Sequence, residues 1–236
     1  MKIVCLSSGS VANCYILTSK ETGHSIILDC GLRFRSITNN KLFCGFKNID
    51  VVLVSHLHKD HSKSLKDFKL SGCNIVSYET LETGCPNKFQ FGQWLIQAFP
   101  VAHDVENWGF IIKDTITNKI ICYATDFYKM PIIEQVDFHI YEVNYDMETV
   151  EKVALSQTED LFYTQNGFKN HNSLENAIEY FGKLKTKPKG IYVCHISDRH
   201  SNRKKIKREL SAFCNNIHIL DKDKIYELKE VQNEKK

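Results

Sequence analysis

The sequence predicts an α/β protein built as a four-layer αββα sandwich, in which helices cover the outer faces of two packed β-sheets. Three observations support this fold class. Short runs of strand character dominate the first two thirds of the chain, helical patterns are fewer, and no repeat, low-complexity segment or Pro/Gly linker divides the chain. We therefore expect one domain over residues 1–228.

The strand candidates are short apolar runs, many of them rich in β-branched or aromatic residues. In chain order they cover residues 2–6, 12–18, 25–29, 51–55, 74–78, 94–100, 108–113, 119–125, 138–142 and 190–194. Helical spacing of apolar residues predicts helices over 35–40, 64–70, 172–185 and 202–215. The helix over 172–185 opens with Asn172 and Ser173, which are candidate N-cap residues.

Composition indicates the setting in which the chain works. Its 236 residues are 42% hydrophobic and 25% charged, which is ordinary for a soluble globular protein. It lacks an apolar stretch of membrane-spanning length and a signal-peptide pattern, so we expect no membrane association. Nine scattered cysteines without a CxxC pair predict free thiols in a reducing cytoplasm. The polar stretch 227–236 predicts a frayed end, with residues 229–236 as a tail.

The densest group of metal-ligating residue types lies in one loop. His56, His58, Asp60 and His61 follow directly after an apolar strand candidate. Imidazole nitrogen and carboxylate oxygen suit Zn²⁺ and other borderline divalent ions. The spacing places His56 and His58 on one side of an extended segment, whereas Asp60 and His61 turn away. The loop therefore predicts ligands for two adjacent metal ions.

Three further candidate ligands each come shortly after an apolar strand candidate. His103 follows residues 94–100, Asp126 follows 119–125, and His195 follows 190–194. Polar side chains at such positions gather along one edge of a sheet, and a carboxylate such as Asp126 can bridge two metals. The sequence therefore predicts that these three residues complete a dinuclear site with the histidine-rich loop.

These motifs, in this order, resemble those of metallo-β-lactamase-fold hydrolases over nearly the whole chain. The resemblance implies one metal at His56, His58 and His103, a second at Asp60, His61 and His195, and a shared ligand at Asp126. The opening Ser8-Gly9-Ser10-x-x-Asn13 also resembles the first hairpin of this fold. By the same resemblance Asp29 orients the metal-bound imidazoles from behind, and the alternative is an ordinary turn aspartate.

Two subgroups of this family are most similar. The Ser8 start, the His103-Asp104 pair, Glu142-x-Asn144-x-Asp146 and the His195-Ile196-Ser197 ending resemble the YycJ (WalJ) type, which is associated with DNA exonuclease activity. Glu142 and His171 also resemble the Glu–His dyad of tRNase Z-like phosphodiesterases. The residues just before His171 depart from that pattern, because they read Phe-Lys-Asn instead of ending in glycine.

The resemblance implies phosphodiester hydrolysis at two divalent ions, with a metal-bound hydroxide as the nucleophile. Asp60 would orient the nucleophile and accept its proton, and His171, held by Glu142, would protonate the departing alkoxide. Without the resemblance, His171 is a solvent-facing residue at a helix start and Glu142 a charge at a strand end. The ligand set contains no thiolate, and its nitrogen and oxygen donors suit Zn²⁺, which we expect, and also Mn²⁺.

A basic run follows the last candidate ligand, with six Lys and Arg residues within 199–208. Because it begins four positions after His195, it could guide a polyanion to the metals. Ser197, Arg199, Arg203 and Lys204 are therefore candidate substrate-binding residues. The alternative is a solvated helix face.

Together these features predict a nuclease acting on DNA or RNA. Hydrolysis of a cyclic nucleotide is the alternative. In that case segment 147–168 would form a lid over a small pocket, whereas in a nuclease it would lie beside the nucleic-acid strand. Thioester or lactam hydrolysis fits the Glu–His dyad and the basic run less well. A metal-binding or flavin-linked carrier without hydrolase activity fits least. The partner is thus nucleic acid or a cyclic nucleotide, and a homodimer stays an open alternative.

Overall fold

The computed structural model of the protein describes residues 1–156 and 168–229. They form two β-sheets packed face to face, with helices on the outer sides. The predicted αββα sandwich is thereby confirmed. Residues 157–167 of the segment 147–168, and residues 230–236 of the expected tail, lie outside the described part of the chain.

The first sheet has six strands in the order β13-β1-β2-β3-β4-β5. Its strands are β1 (Lys2–Ser7), β2 (Cys14–Thr18), β3 (Ser25–Leu28), β4 (Ile49–Leu53), β5 (Ile75–Val76) and β13 (Lys224–Glu227). The strands from β13 to β3 pair antiparallel, whereas β4 pairs parallel to both β3 and β5. The carboxyl ends of β3 and β4 therefore lie at the same edge of the sheet.

The second sheet has seven strands in the order β12-β11-β10-β9-β8-β7-β6. They are β6 (Lys88–Phe91), β7 (Trp94–Val101), β8 (Asn107–Asp114), β9 (Ile120–Ala124), β10 (Phe138–Glu142), β11 (Gly190–Cys194) and β12 (Ile217–Ile219). Strands β6 to β9 pair antiparallel, and β9 to β12 pair parallel. The parallel half brings the carboxyl ends of β9, β10 and β11 to one edge.

Side-chain alternation along the strands separates the central core from the outer layers. In β9, for example, Ile121 and Tyr123 join the core between the sheets, whereas Cys122 and Ala124 face the helices. The helices are α1 (Phe34–Thr38), α2 (Lys59–Ser62), α3 (Leu65–Leu70), α4 (Met147–Ser156), α5 (Leu174–Lys183) and α6 (Arg203–Leu210). α1 and α3 cover the first sheet, and α5 and α6 cover the second.

The observed elements differ from the sequence-based prediction mainly in short helices and in strands at the edges of the sheets. β6, β12, β13, α2 and α4 were not expected, and β5 is shorter than the predicted strand over 74–78. The frayed end does not begin at Glu227, because this residue pairs with Lys2 at the end of β13. All nine cysteines carry free thiols. Among the described helices, none has the length and apolar character needed to cross a membrane.

Candidate metal centre

All seven predicted metal ligands lie together at one edge of the sandwich, near the carboxyl ends of β4, β7, β9 and β11. The histidine-rich loop follows β4, His103 follows β7, Asp126 follows β9, and His195 follows β11. Their side chains fall into two groups that share Asp126. The geometry thus has the arrangement that the sequence predicts for two adjacent ions.

The first group combines three histidines with one carboxylate. Its members are His56, His58, His103 and Asp126, whose ligand atoms all lie within 4.8 Å of one another. His56 Nε2 lies 3.7 Å from Asp126 Oδ2, and His103 Nε2 lies 3.3 Å from His58 Nδ1. Ligand atoms bound at about 2.1 Å to one tetrahedral ion are about 3.4 Å apart, so these separations suit a common ion.

The second group combines two histidines with two carboxylates. Its members are Asp60, His61, Asp126 and His195, again with ligand atoms within 4.8 Å of one another. His61 Nε2 lies 3.3 Å from both Asp60 Oδ2 and Asp126 Oδ2. His195 Nε2 lies 3.4 Å from Asp126 Oδ1. Asp126 Oδ2 thus faces His56 of the first group and His61 of the second, and Oδ1 faces His195, so this carboxylate lies between the two groups.

A buried carboxylate behind the histidine loop fixes the orientation of two ligands. Asp29 Oδ2 accepts hydrogen bonds from His61 Nδ1 at 2.7 Å and from Ser55 Oγ at 3.0 Å. The Ser55 oxygen in turn accepts from His56 Nδ1 at 3.0 Å, and Tyr123 also donates to Asp29. Both imidazoles are thus held with Nδ1 protonated and Nε2 directed at the centre. The interpretation of Asp29 as an orienting carboxylate agrees with this geometry.

Close backbone contacts hold the histidine-rich loop in place and leave no room for a side chain at Gly31. A Cβ atom on Gly31 would lie 1.6 Å from the carbonyl oxygen of Asp60, so only glycine fits there. Asn13 N donates to that carbonyl at 2.7 Å, and Cys30 N donates to the carbonyl of His61 at 2.7 Å. The Asn13 side chain reaches the site itself, because its Nδ2 lies 2.9 Å from His61 Nε2.

Three residues that carry the site have left-handed backbone conformations. Asp29, Asp126 and His195 have φ angles of 57°, 53° and 52°. Asp29 and His195 directly follow β3 and β11, and Asp126 is the second residue after β9. Such conformations cost a non-glycine residue about 1–3 kcal/mol and concentrate at functional sites. Here they occur where the three strands end and the site begins.

Neighbouring asparagines and a backbone carbonyl orient the remaining ligands. His103 Nδ1 donates to the carbonyl of Asn170 at 3.0 Å, which leaves Nε2 for the centre. Asn144 Nδ2 lies 3.0 Å from both His195 Nδ1 and the His195 carbonyl. Asn107 Nδ2 donates to the backbone carbonyls that flank the Asp126 turn. Neither Asn107 nor Asn170 is predictable as a site residue from the sequence, because an isolated asparagine gives no spacing signal.

One exposed carboxylate lies at the rim of the first group. Asp104 Oδ1 is 3.0 Å from His103 Nε2 and 3.6 Å from His58 Nε2. Its side chain is 44% exposed, so it contacts both the histidines and solvent. In the sequence, the His103-Asp104 pair is informative only through the family resemblance.

The predicted dyad forms beside the second group. His171 Nδ1 lies 2.7 Å from Glu142 Oε1, and the His171 ring stacks on His195 at a centroid distance of 5.1 Å. Glu142 is fully buried and also accepts from Phe127 N at 3.1 Å, which fixes its carboxylate. His171 itself is 23% exposed. The pair therefore has a rigid, buried anchor and a solvent-accessible imidazole.

The electrostatics of the cluster follow from burial and from the shared carboxylate. Burial lowers the pKa of His56 to about 2 and also lowers the pKa of His103, so both are neutral imidazoles that can bind metal. Burial acts in the same direction on His195, but Asp126 and Asp60 outweigh it and raise its pKa to about 10. Burial alone would raise the pKa of Asp126, but His195 and His61 stabilise its carboxylate and hold the pKa well below its usual range. The second group thus attracts positive charge, and a divalent ion there would displace a proton.

In the Glu142–His171 dyad, burial and a neighbouring carboxylate also act in opposite directions on a histidine pKa. Burial lowers the pKa of His171, but the Glu142 carboxylate outweighs it and raises the pKa above the ordinary histidine value. His171 is therefore suited to hold a proton near neutral pH and to donate it.

The predicted substrate-binding residues lie on the loop and helix after β11. Ser197 N donates to the Asn144 carbonyl at 2.8 Å, and Arg199 lies in the loop before α6. Arg203 forms an ion pair with Asp221 at 2.5 Å, and Lys204 is exposed in the first turn of α6. The structure thus brings Ser197 beside a residue that orients His195, whereas Arg203 is engaged by a carboxylate.

Two buried nitrogen atoms test whether the site fits metal ions. Among the described residues, His56 Nε2 and His195 Nε2 are buried without a hydrogen-bond partner. An unsatisfied buried imidazole nitrogen is costly, and one metal ion in each group would satisfy these two nitrogens. The donor set is all nitrogen and oxygen, and its ligands are held by hydrogen bonds from behind. The residues therefore fit a pair of divalent cations.

Comparison with solved structures identifies the fold of the chain. The chain has the metallo-β-lactamase fold, which was the fold that the motifs resembled. It is similar to the metallo-β-lactamase fold protein YhfI from Bacillus subtilis, with a TM-score of 0.67, 15% identity, and coverage of 95% of this chain and 98% of that one. No protein-family model and no curated protein matches the sequence.

Two further similar structures carry names of enzymes. Human tRNase Z, short form, has a TM-score of 0.63 and 15% identity over 97% of this chain and 100% of that one. Unliganded yeast PDE1 has a TM-score of 0.61 and 12% identity over 95% of this chain and 98% of that one. At these identities the likeness establishes the fold alone.

Proposed function

We propose that the protein is a metal-dependent phosphodiesterase whose substrate is a nucleic acid, DNA or RNA. The observation that carries this proposal is the combination of two ligand groups sharing Asp126 with a Glu142–His171 dyad beside them. The names of two similar structures, tRNase Z and PDE1, point in the same direction. The YycJ-type exonuclease specificity stays a prediction.

Each ligand group would hold one divalent ion. His56, His58 and His103 would bind the first ion, Asp60, His61 and His195 the second, and Asp126 both. When bound, such ions lower the pKa of water, clamp an anionic phosphate and stabilise the charge that develops on its oxygens. The nitrogen and oxygen ligands suit Zn²⁺ and also Mn²⁺.

The chain's own residues would move the two protons of the reaction. Asp60 is a ligand of the second group and is partly exposed, so it can orient the attacking water and accept its proton. His171 would donate a proton from its imidazole to the departing oxygen. Glu142 would hold the His171 ring in place and stabilise its charged form.

The dyad favours a phosphodiester over a substrate that releases a stable anion. A nucleic-acid linkage releases an alkoxide, which is a poor leaving group and gains from a proton donor. A thiolate leaving group would gain much less. This difference supports phosphodiester cleavage over thioester hydrolysis at the same fold.

The test uses protein reconstituted separately with Zn²⁺ and Mn²⁺. Single- and double-stranded DNA, RNA, a panel of cyclic nucleotides, a thioester and bis(p-nitrophenyl) phosphate are incubated with it, and products are quantified. We expect cleavage of a nucleic acid and of the aryl diester. Turnover of cyclic nucleotides alone would overturn the nucleic-acid assignment, and failure on every phosphodiester would overturn the proposal.

A matched pair of variants ties any activity to the site. Asp126→Asn removes the shared charge, whereas Asp223→Asn makes the same chemical change in a surface residue with a similar φ of 56°. Activity should be lost in Asp126→Asn and retained in Asp223→Asn. Equal activity in both variants would show that the measured hydrolysis does not come from this centre.

A further inference from the structure

We infer that the phosphate backbone of a polynucleotide lies along α2 and α3, on a basic face formed by Lys59, Lys63 and Lys66. This inference rests on the proposed function and names the surface that would hold its substrate. It departs from the sequence-based expectation, which placed the polyanion on the basic run at 199–208.

The three lysines are exposed and uncompensated. Within the described ranges, no carboxylate forms an ion pair with Lys59, Lys63 or Lys66. Lys63 and Lys66 line a groove of about 550 Å³ together with Lys69, which is paired with Glu79 at 2.5 Å. The groove is therefore basic along one side and open to solvent.

The basic run after β11 is partly neutralised, although Lys204 and Lys207 have no carboxylate partner within the described ranges. Arg203 pairs with Asp221, and Lys205 Nζ lies 3.0 Å from Asp146 and 3.1 Å from Glu148. Arg208 pairs with its neighbour Glu209 at 2.6 Å. A cation that already has a carboxylate partner must give it up to bind a phosphate. The run thus offers less net attraction to a polyanion than its sequence indicates.

The α2–α3 face is also contiguous with the metal centre. α2 itself contains Asp60 and His61, and Lys59 lies between the ligands His58 and Asp60. α2 ends at Ser62 and α3 begins at Leu65, and Lys63 and Lys66 on either side of that start line the same groove. Phosphates of one stacked strand repeat about every 3.4 Å along its axis, so neighbouring phosphates can contact neighbouring lysines. A strand that enters the centre can therefore continue along this face.

The experiment measures salt dependence of binding, with metal-loaded protein and a short single-stranded phosphorothioate oligonucleotide followed by fluorescence anisotropy. Lys63→Gln/Lys66→Gln removes two proposed contacts, and Lys59 is left intact because it adjoins metal ligands. Two lysine-to-glutamine pairs serve for comparison. Lys204→Gln/Lys207→Gln changes α6, and Lys185→Gln/Lys187→Gln changes the exposed loop before β11, at the opposite edge of the sheet.

We expect the slope of log affinity against log salt to become shallower by about 1.4 in Lys63→Gln/Lys66→Gln, at about 0.7 per lost contact with a single strand. Between about 50 and 200 mM salt, the wild type then loses about sevenfold more affinity than this variant. The other two pairs should change the slope by less than half as much. An unchanged slope in Lys63→Gln/Lys66→Gln, or an equal change in all three pairs, would overturn the inference.

Failure of this inference is separable from failure of the proposed function. Hydrolysis of bis(p-nitrophenyl) phosphate by the wild type depends on the metal centre and not on a polynucleotide surface. Hydrolysis with an unchanged slope would refute the basic face alone. Circular dichroism of each variant confirms that the slopes compare folded proteins.

Discussion

Replacing His171 with glutamine removes the proposed proton donor while keeping a polar side chain of similar size. In the structure, His171 Nδ1 lies 2.7 Å from the buried Glu142 carboxylate, and its side chain is 23% exposed. A positioned general acid contributes about 10²–10⁴-fold in rate, which corresponds to about 2.7–5.4 kcal/mol in the activation barrier. We expect a loss of this size only where the leaving oxygen needs a proton.

The assay compares two substrates that differ in the leaving group. Dithymidine monophosphate releases an alkoxide, whereas thymidine 5′-p-nitrophenyl phosphate releases a stable phenolate. For His171→Gln, kcat should fall by about 10²–10⁴-fold on the first substrate and by less than about tenfold on the second. Equal losses on both substrates would refute the role of His171 as the acid.

Glu142→Gln is the companion variant. It keeps an acceptor for His171 but removes the charge that raises the pKa of this histidine. It should therefore show the same dependence on the leaving group with a smaller loss. A Glu142→Gln enzyme that is more impaired on the phenolate substrate would contradict the dyad.

Three other predictions concern the fold and the loops that carry the site. His139 is buried among Tyr141, Tyr180 and Phe181, and burial lowers its pKa to about 3. Because its unfolded-state pKa is about 6.5, its contribution to stability is lost as pH falls below that value, by about 2 kcal/mol between pH 7 and 5. Urea unfolding should show that His139→Phe lacks this loss, and an equal pH dependence in both proteins would contradict it. Gly31→Ala should destabilise the protein by about 1–3 kcal/mol and weaken metal binding, because its Cβ would collide with the Asp60 carbonyl. The control Gly182→Ala, in α5 with its nearest contact at 3.7 Å, should be neutral or stabilising in the same thermal-unfolding assay. Asp29→Asn should weaken metal affinity by about 10–100-fold in calorimetric titration, since it disturbs the hydrogen bonds behind His56 and His61, and an unchanged affinity would refute this role.

The fold was predictable because the length and apolar character of a strand are local properties. The runs at 138–142 and 190–194 are observed with the same bounds as β10 and β11. β6 (Lys88–Phe91) was missed although it forms a tight hairpin with β7, because it is only four residues long and none of them is fully buried. β13 in contrast depends on β1, which is distant in sequence. Pairing between distant segments is absent from a local pattern.

The candidate site was predictable where residue chemistry and strand position coincide. His56, His103, Asp126 and His195 all come after strand candidates, and the carboxyl ends of β4, β7, β9 and β11 lie at one edge of the sandwich. The supporting contacts were harder to foresee, as were the ion pairs that occupy the basic run. Asp221 and Asp146 are far in sequence from the cations that they bind, so a count of charges in 199–208 overstates its attraction for a polyanion.

Anomalous X-ray diffraction from crystals soaked in Zn²⁺ tests the central claim most directly, because it locates ions independently of activity. We predict two anomalous peaks on either side of Asp126, one within ligand distance of His56, His58 and His103 and the other of Asp60, His61 and His195. Absence of ordered metal at Asp126, or ions bound only elsewhere on the chain, would contradict it.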